Sequence, residues 1–223
     1  MRVRVEYQKG PEIKYLSHLD LVRVWERMLR RSDLGLQMSE GFNPHPKLSL
    51  GTVLPVGVWG KKEYLDFELA KPQTEEVIFS HLGDQEPPGV KLLRVKNIGD
   101  NLPSLMARID AACYRMIIPE DVAYDAESVI AEVNGRDSLL VYQKNKNREV
   151  DIRPGLLSLK LLVEDKQPII ETYLSLGQSS VRLPDLLEIL YQNGLPHEGI
   201  LNIWREGNYI RVGKEYLCPM DTD

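Results

Sequence analysis

Nine consecutive residues, Ser39-Glu-Gly-Phe-Asn-Pro-His-Pro-Lys47, gather side chains that can bind a ligand or move a proton. The imidazole of His45 titrates near neutral pH and can serve as acid, base or metal ligand. Pro44 and Pro46 restrict the backbone on either side of it. Phe42 offers a flat surface on which a nucleic-acid base can stack. Asn43 can hydrogen-bond a ligand edge or cap its own turn, the second being the commoner use. Lys47 ends the run with a cation. Upstream lie His18 and four arginines, Arg23, Arg27, Arg30 and Arg31.

Two chemistries are open to this set. His18 and His45 could form an acid–base pair for RNA cleavage or modification. Alternatively, the arginines and Lys47 could hold phosphates while Phe42, Asn43 and His45 contact the substrate. Each has a plain structural counterpart. His18 suits the first turn of a helix, His45 can be a loop hydrogen-bonder, and the arginines can be a solvated face laced with Glu26. Asp20, Glu40, Glu63 and Asp66 add carboxylates, which with the histidines would make a mixed N/O metal set. The spacing His18-Leu-Asp20 is not a zinc pattern, and no metal is expected. Arg153 and Arg182 are weaker candidates, suited to ion pairs or caps. Phosphate-binding Walker loops, dinucleotide glycine motifs, Gly-x-Ser-x-Gly and His-Glu-x-x-His are missing from the sequence.

These residues need elements to hold them. Ser17 and Asp20 have the spacing of a capping box, with Leu16 and Leu21 placed as a hydrophobic staple. Leu21, Val22, Trp25, Met28 and Leu29 then form one apolar stripe, which predicts a helix ending near Gly35. Residues 2–7 alternate as a half-buried strand. Short strands are expected at 36–38 and 48–54, a clear one at 62–69, a helix at 73–82 and a strand at 90–98. This is the β-α-β-β-α-β order of a split βαβ unit. One sheet face would carry two helices, and the other would be free for a ligand or second layer. Beyond a boundary at 99–103, strands are expected at 111–118, 138–144, 149–152, 156–163 and 168–176. Helices are expected at 123–133 and 183–191, a polar turn at Asn145-Lys146-Asn147, and a terminal hairpin turning at Glu206-Gly207-Asn208. The fold class is therefore α+β: tandem ferredoxin-like units with antiparallel sheets, in domains 1–100 and 101–223.

Composition narrows the function classes. The 223 residues carry a net charge of −5, which excludes a generally basic coat for nucleic acid. Residues 1–50 nevertheless hold nine Lys/Arg against six Asp/Glu, so a local basic face is allowed. No apolar run reaches the ~18 residues of a membrane span, and the first residues lack a signal-peptide core. A cytoplasmic protein is expected. Cys113 and Cys218 are too few for a disulfide scaffold, a four-cysteine zinc site or an iron–sulfur cluster.

Tyr15-Leu-Ser-His-Leu-Asp20, then Arg23, Glu26, Arg27 and Arg30-Arg31, then the Ser39–Lys47 run, resemble the signature of the bacterial radical-SAM-linked protein family. Tyr64-Leu-Asp66 and Asp151-Ile-Arg-Pro154 fit its later motifs. That family is a domain of unknown function. It is often fused behind, or encoded beside, a radical-SAM protein with a cobalamin-binding-like region, and often encoded near a ribonuclease and ribosomal proteins. The resemblance implies a radical-SAM partner. The iron–sulfur cluster and S-adenosylmethionine would then sit on that partner, with no cofactor on this chain. The expectation is an accessory substrate-binding or docking module acting on RNA or a ribonucleoprotein. The alternatives are an RNA-processing enzyme using His18 and His45, and a protein–protein adaptor without affinity for nucleic acid.

Overall fold

The computed structural model describes residues 1–100, 102–144 and 147–222. In chain order the elements are β1 (Arg2–Lys9), α1 (His18–Arg31), β2 (Leu48–Leu50), β3 (Trp59–Glu68), α2 (Glu75–Gly83), β4 (Val90–Ile98) and α3 (Leu105–Arg108). There follow β5 (Ala111–Ile117), α4 (Ala123–Gly135), β6 (Leu140–Gln143), β7 (Arg148–Asp151), β8 (Leu156–Glu164) and β9 (Gln167–Ser175). The chain ends with α5 (Leu183–Gln192), β10 (Asn202–Val212) and β11 (Glu215–Leu217). Of the polar turn expected at 145–147, Asn145 and Lys146 lie outside the described residues.

The chain divides into two compact units: Met1–Asp110 joined by the stretch from Gly207 onward, and Ala111–Glu206. In the first unit the strand order is β4-β1-β3, with β2 on β3 and every pair antiparallel. That is the order of a ferredoxin-like sheet. Val3, Val5 and Tyr7 face the core with Leu21, Trp25, Met28 and Leu29 of α1 and Ile78 and Leu82 of α2. Tyr7 and Trp25 meet edge to face, with ring centroids 4.7 Å apart. The apolar stripe read in the sequence is thus the buried side of α1.

In the second unit the order is β10-β5-β9-β8, again ferredoxin-like, with β5–β9 and β9–β8 antiparallel. The β6–β7 hairpin is a separate two-stranded sheet inserted between α4 and β8. Gln143 ties it to α5 by donating to Asp185 Oδ2 at 2.8 Å. Val129, Ile130 and Val133 of α4 and Leu186, Ile189 and Leu190 of α5 are buried.

Four expectations need correction. Residues 36–38 form no strand; Leu36 and Met38 make single bridges to Leu69 and Pro46. The terminal hairpin does not turn at Gly207. β10 runs through that glycine, and the turn falls at Gly213, whose φ is 64°. The chain from Gly207 onward belongs with the first unit rather than with a second domain spanning 101–223, and 102–110 goes with it. Finally, the far face of the first unit's sheet is not fully free. Arg4 donates to Pro219 O at 2.9 Å, Lys96 donates to Met220 O at 3.0 Å, and Arg94 pairs with Asp221 at 2.9 Å.

Candidate nucleic-acid interface

Helix α1 begins where the sequence placed it. The Ser17 hydroxyl accepts from Asp20 N at 3.2 Å and donates to the Asp20 carboxylate at 2.7 Å. That hydroxyl, helped by Arg23, holds the Asp20 carboxyl below the usual aspartate range. At 100° per residue, Arg23, Glu26, Arg27 and Arg30 fall on one stripe opposite Trp25 and Met28, with Arg31 at its edge. All four arginines are exposed. Arg23 pairs with Asp20 at 3.0 Å, and Arg31 donates to Gln85 Oε1 at 3.2 Å. Arg27 has no hydrogen-bond or ion-pair partner among the described residues.

The chain leaves α1 through Asp33 and Gly35, both left-handed, with φ of 55° and 68°. It then forms a closed loop. Ser39 N donates to His45 O at 2.8 Å, and His45 N donates to Ser39 Oγ at 3.0 Å. The loop is fastened to α1 at two points. Arg30 donates to Pro44 O at 3.0 Å, and His45 Nδ1 lies 3.3 Å from Glu26 Oε1. Its stem is laddered to the end of β3: Gln37 N donates to Glu68 O, and Glu68 N to Lys47 O. Lys47 Nζ stands 3.8 Å from Glu68 Oε2. Fastened on both sides, the loop presents Phe42 wholly exposed at its tip, with Asn43 exposed beside it. Asn43 makes no side-chain hydrogen bond among the described residues, so it does not cap this turn.

His18 is elsewhere. It lies half-buried at the first turn of α1, lining a small cavity with Tyr7, Lys9, Glu63 and Tyr64. His45 sits against Glu26, eight residues or about 12 Å further along the helix. The structure therefore does not bring the two imidazoles together. The carboxylates disperse as well: Asp20 is held by Ser17 and Arg23, while Asp66 takes hydrogen bonds from Arg2 and Arg4. Arg153 donates to Arg136 O at 3.0 Å and Arg182 pairs with Asp185, so both have structural work.

A family model described as "Uncharacterized protein conserved in bacteria (DUF2344)" matches residues 2–183. The chain belongs to that family. The matched region includes α1, the loop and the whole of β5 to β9. No curated protein matches the chain. A solved structure that resembles it, "Crystal Structure of a Cbf5-Nop10-Gar1 Complex", is 13% identical with a TM-score of 0.49. That match covers 91% of this chain and 47% of the other, so the chain spans about half of that protein's length.

Sequence reasoning missed one feature of this DUF2344 chain. A pocket of about 410 Å³ is lined by Arg2, Lys47, Ser49, Asp66, Glu68 and Ser104. Its signal was present in the alternation of β1 and β3. Arg2 and Arg4 share a face with Asp66 and Glu68 across the register, and charges on the second face of a sheet read as ordinary solvated positions. Among the described residues no helix is long and apolar enough to cross a membrane.

Proposed function

We propose that this protein is an accessory module that holds RNA for a radical-SAM partner enzyme. Its RNA-binding surface is the outer face of α1 with the loop fastened to it. The observation that carries the reading is Phe42, fully exposed on a loop tied to α1 through Arg30 and His45, next to an arginine stripe. An aromatic ring presented to solvent offers a base a face to stack on, and the loop's ties to α1 lower the ordering cost of binding. Arg27, free of protein partners, supplies a phosphate contact, and Arg23, Arg30 and Arg31 add cationic charge beside it. His45 and Asn43 flank the stacked base. The radical-SAM partner rests on the motif resemblance, and on two cysteines being too few to hold the cluster on this chain.

Fluorescence anisotropy with a short labelled RNA tests the RNA half of this reading. Binding is expected at ~50 mM salt and should weaken steeply by ~200 mM. Phe42→Ala should cost about 1–3 kcal/mol of affinity. Arg27→Ala should weaken binding and reduce the salt slope by about one contact. Lack of binding at ~50 mM salt would overturn it. A stable complex with the radical-SAM protein, without affinity for RNA, would leave an adaptor.

A further inference from the structure

The far face of the first unit's sheet is charged in a way that leaves one pair underused. Across the register Arg2 stands opposite Glu68, and Asp66 stands opposite both Arg4 and Ser49. Asp66 is saturated. It accepts from Arg4 Nε at 2.8 Å, from Arg4 Nη2 at 3.0 Å and from Arg2 Nη2 at 2.7 Å, and is 3% exposed. Glu68 differs. Its side chain is 44% exposed, and its partner Lys47, itself 42% exposed, lies at 3.8 Å. That separation is beyond a hydrogen bond. Both residues line the 410 Å³ pocket, together with Ser49 and Ser104.

A carboxylate and an ammonium joined only by this loose contact present two adjacent acceptors and then a donor. The Watson–Crick edge of guanine is the complement: N1–H and N2–H donate side by side, and O6 accepts next to them. A carboxylate takes the two donors together, and the ammonium meets O6. Adenine, cytosine and uracil lack two adjacent donors on that edge, so none can fill both carboxylate oxygens. We infer that this pocket receives a guanine base, with Glu68 and Lys47 reading its Watson–Crick edge. The source of the base rests on the RNA reading above. Lys47 then contacts base rather than phosphate. Its place in the chain suits this, five residues after Phe42 on the same fastened loop.

The test compares two labelled heptamers, all-uridine and the same strand with one central guanosine, on wild type and Glu68→Gln. Separate calorimetric titrations use free guanosine and adenosine monophosphates. The fold should survive the change, because Glu68 joins the loop ladder through its backbone; an unchanged unfolding midpoint checks this. Wild type should bind the guanosine heptamer about tenfold tighter, and Glu68→Gln should bind both heptamers alike. Guanosine monophosphate should bind wild type and lose that binding in the variant, while adenosine monophosphate binds neither. Equal wild-type affinity for the two heptamers would overturn the guanine site and leave RNA binding standing. Guanosine monophosphate binding without heptamer binding would support the pocket and overturn the RNA reading. Absence of both would overturn both.

Discussion

Asp66 serves two arginines at once, and one of them, Arg4, is wholly buried. Removing the carboxylate would strand a guanidinium in the interior, where desolvation is not offset. Asp66→Ala should therefore destabilise the protein by about 3–5 kcal/mol, read by urea denaturation. A loss below about 1 kcal/mol would mean that water reaches Arg4. The exposed Arg23–Asp20 pair is a fair control, since solvent screening leaves surface pairs contributing little. The same residue explains why Tyr64-Leu65-Asp66 forms a motif. Tyr64 donates to Glu6 Oε2 at 2.9 Å, Leu65 enters the core, and Asp66 turns to the arginines. Burial and the Glu6 charge push the Tyr64 hydroxyl well above the usual tyrosine range, so it stays a donor. The three side chains of this motif are thus accounted for by packing and pairing within the first unit.

At the scale of elements, Asp151-Ile-Arg-Pro154 also has a structural explanation. The Asp151 carboxylate accepts from Leu139 N at 2.8 Å and Arg153 N at 2.9 Å, closing the turn between β7 and β8. The Leu139 N–H, helped by that of Arg153, holds its carboxyl below the ordinary aspartate value of 3.8, against the opposing effect of burial. A carboxyl depressed on folding stabilises the fold above its unfolded pKa. That contribution is lost as pH falls from about 3.8 through the lower folded value. Asp151→Ala should cost about 1 kcal/mol at pH 7, the usual scale for a lost cap. The cost should shrink below pH 3.8 in paired unfolding curves; a pH-independent difference would show that the charge plays no part. Elements of this kind were legible where one period dominated. The apolar stripe and Ser17 cap set α1, and alternation set β1 and β3. β10 was misread because Glu206-Gly207-Asn208 carries turn residues, while the strand's pairing keeps that glycine extended. The loop was legible as irregular, but its fastening to Glu26 and Arg30 was not, since both look like ordinary members of a solvated face.

At the scale of the whole molecule, the least legible feature is the return of the C-terminal stretch to the first unit. Arg4 and Pro219 are 215 positions apart, and no local pattern encodes such a pairing. Its consequence is nonetheless testable. The main-chain oxygens of Pro219 and Met220 accept from Arg4 and Lys96, the Asp221 carboxylate pairs with Arg94, and Met220 is 1% exposed. Beneath them Cys218 Sγ lies 3.4 Å from Tyr64 Oη and 3.5 Å from Glu6 Oε2. Each hydrogen bond to a charged group contributes about 1.5–3 kcal/mol when its loss leaves the group unpaired and buried. Arg4 keeps Asp66 in any case, and Arg94 and Lys96 can reach water, so the sum is well below three full bonds. A chain shortened after Lys214 should lose at least about 3 kcal/mol from these contacts and the lost burial of Met220 together. The loss should appear as a lower urea midpoint. Hydrogen exchange should rise first along β1 and β4, because those strands carry the cations the segment satisfies. Unchanged protection there would show that the segment rests on the sheet without supporting it.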